Sequence, residues 1–173
     1  METLKTIAKR HSTRAFSDKP VPKEALETIL AAGSAAPVGG KDYESLHLTV
    51  ITDKAALDRI VASFQAATKL DRNPLYGTGT FVLVSSKEPK APGLNYANAA
   101  CVIDHMLIAA ADLGVDSVYL WGVLNALNAD AKLLKALGIP EGFTPASGVA
   151  LGYAAEPSDA EKDLTFRLAT NYV

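Results

Sequence analysis

Apolar residues recur in two patterns along this chain, and the two patterns separate predicted helices from predicted strands. Leu57, Ile60 and Phe64 recur at three- and four-residue spacing, which places them on one face of a helix. On this pattern, helices are predicted at residues 3–9, 23–35, 54–67, 94–113 and 129–137. Asp53 directly precedes one of these helices and is expected to cap its N-terminus.

Four short apolar runs, rich in β-branched residues, predict strands. They lie at residues 46–51, 80–85, 115–120 and 146–153. The second run is apolar almost throughout and is therefore expected to be buried on both faces, while small residues in the fourth are expected to let a helix approach closely. Because most strands are separated by helices, the pattern predicts one α+β domain over residues 1–173, a sandwich in which helices cover a mixed central sheet of about four to five strands.

The predicted helix at residues 94–113 is rich in alanine and nearly uncharged. Gly114 follows it, at the position where a glycine commonly ends a helix. A helix that is apolar almost all round is a central one, covered either by neighbouring elements or by a second subunit. Cys101 lies in this apolar stretch and is expected to act as a small buried hydrophobe.

Composition and charge exclude several classes of partner. The chain is 49% hydrophobic and 21% charged, as is ordinary for a globular protein. Its formal net charge of −2 argues against nucleic acid, whose partners carry a basic excess. No signal peptide or membrane-length apolar run is recognised, so no membrane partner and a cytoplasmic location are expected. The three histidines lie far apart without carboxylates at ligand spacing, so no metal site is expected.

The densest chemistry follows the first predicted helix. Arg10, His11, Ser12 and Arg14 stand within five residues of one another. Arginine forks and a hydroxyl are the donors that a phosphate monoester requires. A solvated basic loop, which suits the C-terminal end of a helix dipole, explains the same residues equally well. Local chemistry leaves both interpretations open.

Several other segments, each compatible with an ordinary turn, core aromatic or solvated face, form a joint pattern with this cluster. The segments are Arg10-x-Ser12-x-Arg14-x-Phe16, Ala36-Pro37-Val38-Gly39, Asn95-Tyr96-Ala97-Asn98, Leu113-Gly114-Val115-Asp116-Ser117 and Val149-Ala150-Leu151-Gly152-Tyr153. Over essentially the whole chain, this pattern resembles the FMN-dependent nitroreductase family. The resemblance implies a homodimer with FMN at the subunit interface.

The resemblance also implies roles for the basic residues. Arg10 and Ser12 would hold the FMN phosphate, and His11 would contact the ribityl chain. Arg14 would lie near the pyrimidine edge of the ring, where a cation favours the negative charge that develops on reduction. Arg167, in the polar tail, would complete the phosphate site.

At the ring end, Pro37, Val38 and Gly39 would approach the flavin from the other subunit. The strand end Leu120-Trp121-Gly122 would supply backbone N–H groups to flavin N5. Many family members carry ring-contacting amide side chains after the proline, and this chain has none there. Lys41 either replaces them as a donor to the pyrimidine ring or faces solvent.

The function implied is an FMN-dependent oxidoreductase. NADH or NADPH would pass hydride to flavin N5, and a nitroaromatic, quinone or similar small molecule would then accept the electrons in a ping-pong scheme. The cofactor would carry the chemistry, so no catalytic side chain is assigned. The alternatives are a flavin-binding protein without turnover, serving storage, delivery or sensing, and an interaction module without cofactor.

Overall fold

The computed structural model describes residues 2–173. Ten regular elements follow one another in this part of the chain. They are α1 (Thr3–Lys9), α2 (Lys23–Ser34), β1 (Leu46–Ile51), α3 (Lys54–Thr68), β2 (Thr80–Ser86), α4 (Leu94–Asp112), β3 (Asp116–Leu120), α5 (Leu124–Ala129), α6 (Ala131–Ala136) and β4 (Thr144–Gly152). Two 3-10 turns, Gly39–Lys41 and Tyr43–Ser45, lie between α2 and β1.

The four strands form one sheet in the order β1-β2-β4-β3. Each neighbouring pair of strands is antiparallel. The sheet is therefore antiparallel, whereas a mixed sheet was predicted. The parallel pairing found in residues 2–173 is a single bridge between Ser12 and Ser117. The last strand in sequence, β4, is inserted between β2 and β3. The predicted α+β sandwich is confirmed, with helices on both sides of the sheet.

Strand β2 forms the centre of the core because its side chains alternate between two hydrophobic clusters. Phe81 and Leu83 belong to the cluster beneath α3, α5 and α6. Val82 and Val84 belong to the cluster beneath α2 and α4. All four are fully buried, as the continuous apolar run predicted. Burying a side chain of this kind stabilises the fold by about 1.5–3 kcal/mol.

Close packing within the sheet depends on a glycine in β4. Gly148 lies opposite Leu83 in the strand register, and a Cβ there would lie 2.5 Å from Cε2 of Phe81. At Gly148, β4 therefore makes room for an aromatic ring of the neighbouring strand. Helix α4 also packs against β4, as the small residues of this strand predicted.

The helix ends agree with the sequence except in one region. The Asp53 carboxylate accepts a hydrogen bond from the Ala56 N–H at 2.9 Å, and Gly114 adopts φ +70°, so both predicted ends are confirmed. The predicted helix at 129–137 forms as α6 (Ala131–Ala136), and the Asp130 side chain caps its N-terminus by accepting from the Leu133 N–H at 2.9 Å. Helix α5, which precedes it, was not predicted.

Helix α4 is covered on only one side within the chain. Its residues Val102, Ile103 and Met106 are buried against the sheet and α2. The opposite side, hereafter the outer face of α4, consists of Ala97, Cys101, Asp104 and Ile108, which are exposed or half-buried. The sequence allowed this helix to be covered by neighbouring elements or by a second subunit. Within the chain, neighbouring elements cover one side of it. No helix in the part of the chain described here is long and apolar enough to cross a membrane.

Candidate functional site

The basic segment after α1 is fastened along the start of β3. The Thr13 N–H donates to the Ser117 carbonyl at 3.0 Å, and Ser12 forms the bridge to Ser117. This attachment is possible because β3 is an edge strand of the sheet and offers an unpaired side. Arg14 is exposed, and its guanidinium donates to the Ser12 carbonyl at 3.4 Å.

The His11 imidazole is held by contacts within the chain. Its Nε2 lies 3.4 Å from Oδ1 of Asp116, and its Nδ1 lies 3.1 Å from the Lys9 carbonyl. The other Asp116 oxygen accepts from the Ala154 N–H at 2.7 Å. Both ring nitrogens therefore already face acceptors within the chain.

Three cations converge where the C-terminal tail passes α1. The Lys162 N–H donates to the Ala8 carbonyl at 2.9 Å, which places the tail beside the end of the helix. Burial and the positive charges of Arg10 and Arg167 lower the pKa of Lys162. Like charges held together repel one another, and an anion bound among them would offset that repulsion.

Lys162 is the site residue that the sequence did not single out. The signal for it in the sequence is its position five residues before Arg167. Of the cation cluster (Arg10, Lys162 and Arg167), Arg10 lines a cleft of about 240 Å³. The walls of this cleft come from the end of α1, the start of β3 and residues 157–160.

An exposed pair of aromatic rings marks the other end of β3. Trp121 and Tyr96 are 50% and 47% exposed, and their ring centroids lie 5.1 Å apart at an interplanar angle of 58°. Tyr96 comes from the first turn of α4. The strand between Asp116 and Leu120 separates this pair from the basic segment by about 13 Å.

The loop at residues 37–41 lies against the N-terminal turns of α4. The Gly39 N–H donates to Oδ1 of Asn98 at 3.0 Å, and Val38 is buried while Pro37 and Lys41 are exposed. The basic segment adjoins the opposite end of α4, at Ala111, about 20 Å away along the helix axis.

The predicted site residues therefore fall into three groups within one chain. Arg10, His11, Ser12, Arg14 and Arg167 lie together, Leu120, Trp121 and Gly122 lie at the far end of β3, and Pro37, Val38, Gly39 and Lys41 lie beside Asn98. Because Tyr96 and Asn98 are two residues apart, they project from different faces of α4. The aromatic pair and the loop are thus on different sides of that helix.

The comparisons with known proteins agree on one family. A model of the nitroreductase family matches residues 7–153. An Archaeoglobus fulgidus protein provisionally named NADH dehydrogenase/NAD(P)H nitroreductase is 31% identical over 159 residues, covering 91% of this chain and 88% of that protein.

Solved structures give the same result. The chain is similar to a Bacteroides fragilis nitroreductase crystallised with bound FMN, at 30% identity and a TM-score of 0.84, over 100% of this chain and 99% of that chain. A Desulfitobacterium hafniense nitroreductase with bound FMN has the same fold, with 23% identity and a TM-score of 0.87 over 100% of this chain and 98% of that chain.

Proposed function

This chain belongs to the nitroreductase family of oxidoreductases, and we propose that it binds FMN in a homodimer and passes electrons from NADH or NADPH to a small-molecule acceptor. FMN, when bound, supplies the hydride-accepting N5 through which a nitroaromatic, quinone or similar acceptor is reduced. The observation that carries the proposal is the cation cluster, since Arg10, Lys162 and Arg167 have no anion to bring them together within the described chain.

The donor set fits a phosphate monoester. Two guanidinium groups and an ammonium group neutralise a dianion, and the half-buried Ser12 adds a short hydroxyl donor beside Arg10. Hydrogen bonds to charged groups contribute about 1.5–3 kcal/mol each. Burial and, after it, repulsion from Arg10 and Arg167 lower the pKa of Lys162. A phosphate held here would offset that repulsion, so binding and charge balance favour the same ligand.

The length of β3 suits an elongated cofactor with a phosphate at one end and a ring at the other. With its phosphate at the cation cluster, the ring would extend toward Trp121 and Gly122. Arg14, exposed between the two ends, would place positive charge near the pyrimidine edge, where reduction adds negative charge. The chain's own residues would bind and orient the flavin, and no side chain needs to act as a general acid or base.

A second copy of the chain completes the proposed site. The outer face of α4 is made mainly of small or apolar side chains that the single chain leaves uncovered, and such a face lets two helices approach closely. The loop at residues 37–41 lies on a different side of α4 from Trp121, so in one chain it does not face the same ring. Across a two-fold axis, the loop of one subunit would reach the ring held by the other.

The aromatic pair supports the choice of acceptor. Half-exposed Trp121 and Tyr96 offer a flat apolar surface next to the proposed ring position, and aromatic surfaces favour planar ligands. Nitroaromatics and quinones are planar.

A cytoplasmic location stays a prediction from the sequence.

One specific feature favours the alternative of a flavin-binding protein without turnover. The stretch after Pro37 contains no amide side chain, so the ring side retains fewer donors than the phosphate side. Bound FMN that neither NADH nor NADPH reduces would identify this function.

Titration of the purified protein with FMN tests the proposal. The wild type is expected to bind FMN and turn yellow, whereas Arg10→Ala and Arg167→Ala are expected to weaken binding by about tenfold or more each, the loss of one charged hydrogen-bond partner. Arg59→Ala, on the exposed side of α3, is the matched control. A wild-type protein that takes up no FMN contradicts the proposal.

A further inference from the structure

A buried amide on α4 holds the loop that the proposed function places at the flavin ring. Asn98 is only 6% exposed, and its Oδ1 accepts the Gly39 N–H at 3.0 Å. A buried polar side chain that hydrogen-bonds main chain fixes the position of that main chain, because an unpaired donor or acceptor would be costly.

Steric contact fixes the same point a second time. A Cβ on Gly39 would lie 2.8 Å from Cδ1 of Leu94, so the glycine lets the loop approach α4 closely. Leu94 and Asn98 are four residues apart and share one face of the helix. The first two turns of α4 therefore contact Gly39 both through the Asn98 hydrogen bond and through close packing with Leu94.

The loop then turns sharply through two left-handed residues. Gly40 has φ +66° and Lys41 has φ +56°, a conformation that non-glycine residues rarely adopt. The Lys41 N–H donates to the Val38 carbonyl at 2.9 Å. On the far side, an ion pair between Asp42 and Lys90 at 2.6 Å ties the loop to the segment that leads into α4. This ion pair lowers the pKa of Asp42.

These restraints leave Lys41 as the polar side chain of the loop. Residues 37–41 read Pro-Val-Gly-Gly-Lys, and the Gly39 N–H is already used by Asn98. Lys41 is exposed and forms no ion pair with any residue from 2 to 173. Lys41 keeps a strained positive φ, although its charge pairs with no residue from 2 to 173. Such strain is commonly found at residues that hold a ligand.

We infer that Asn98 is a positioning residue, which holds the loop so that Lys41 is presented to the pyrimidine edge of a flavin ring. The inference rests on the proposed function and resolves the role of Lys41 as a ring-side cation. Two variants of similar size separate the contributions. Asn98→Leu removes the acceptor, and Asn98→Asp keeps an acceptor oxygen for the Gly39 N–H.

The measurements are FMN affinity and the midpoint potential of the bound flavin in the full-length protein. Asn98→Leu is expected to weaken FMN binding by about tenfold and to lower the potential, because a displaced cation no longer stabilises the reduced ring. Lys41→Met is expected to lower the potential in the same direction. Adding Asn98→Leu to Lys41→Met is expected to change the potential no further, since both act through one group. Asn98→Asp is expected to bind FMN close to wild type.

Three results separate the claims. An Asn98→Leu protein with wild-type affinity and potential, while Lys41→Met changes the potential, overturns the positioning role. A Lys41→Met protein with unchanged potential overturns the role of Lys41. A wild-type protein that binds no FMN overturns the proposed function instead. Should Asn98→Leu fail to fold, Asn98→Ala removes the same acceptor with a smaller side chain and is expected to lower the potential; an unchanged potential there overturns the inference.

Discussion

Among single residues, Lys162 shows the electrostatic cost of the proposed phosphate site, because the fold holds it near two other positive charges. The protonated form of Lys162 is less favourable in the folded chain than in the unfolded chain, because burial and its two arginine neighbours lower its pKa. The folded state thus binds the Lys162 proton less tightly than the unfolded state. The resulting loss of stability is present at neutral pH and disappears as the pH rises past the ordinary lysine pKa.

Lys162→Met is therefore expected to have opposite effects on stability and on binding. The apo protein should be as stable as the wild type or more so near pH 7, with a difference that fades at alkaline pH. FMN affinity should fall about tenfold, the loss of one hydrogen bond to a charged group. Thermal unfolding of the apo protein and a fluorescence titration with FMN measure the two effects.

Lys132→Met, on the exposed side of α6, serves as the control for this pair of measurements. A Lys162→Met protein that is less stable than wild type in the apo form and binds FMN unchanged would show that Lys162 is only a structural contact of the tail.

The residues of the site were predictable to the extent that their function depends on local spacing. Arg10, Ser12 and Arg14 stand together in the sequence, so their chemistry is visible there. Lys162 and Asn98 were not predicted, because each acquires its role from a residue far away in the chain: Lys162 from Ala8 and the cation cluster, and Asn98 from Gly39.

At the scale of elements, periodicity predicted all four strands and five of the six helices to within a few residues. The exception is α5, a helix of six residues that the sequence did not predict. Six residues make fewer than two helical turns, which is too short a stretch for the helical spacing of apolar residues to be recognised. The burial of both faces of β2 was predicted because its apolar run has no alternation. The contact between Gly148 and the Phe81 ring was not predictable in this way, because it depends on strand register.

Gly148→Ala is expected to destabilise the protein through this register. The new methyl group would meet the Phe81 ring at 2.5 Å, and overpacking of a core costs about 1–3 kcal/mol. Urea unfolding measures the change. Gly79→Ala, where a Cβ meets nothing within 4 Å, is the control and should lie near the wild type; equal stability of the two variants would show that the sheet shifts to accommodate the methyl.

At the scale of the whole molecule, the family resemblance predicted from the sequence is confirmed by the match over residues 7–153. The pattern of Pro37, Gly39 and the basic segment could indicate that these residues share one function. It could not indicate that one chain holds the loop and the basic segment at opposite ends of α4, with the loop and Trp121 on different sides of the helix. That separation follows from the tertiary structure, and it is the reason that the proposed site requires two subunits.

A charge placed on the outer face of α4 tests the second subunit. Ala97→Arg leaves the isolated chain undisturbed, since Ala97 is exposed there, but would bury a cation between two paired helices. The variant is expected to be monomeric in sedimentation and to lose most of its FMN. Ala62→Arg, on the exposed side of α3, should remain dimeric and yellow; a monomeric Ala97→Arg protein with full FMN content would refute the shared site.

The most direct test of the central claim is an anaerobic titration of the FMN-loaded protein with NADH and with NADPH, followed by absorbance. At least one nicotinamide is expected to bleach the flavin, and adding a quinone or nitroaromatic is expected to restore the oxidised spectrum. Bound flavin that stays oxidised with both nicotinamides would contradict an oxidoreductase and leave a flavin-binding protein without turnover.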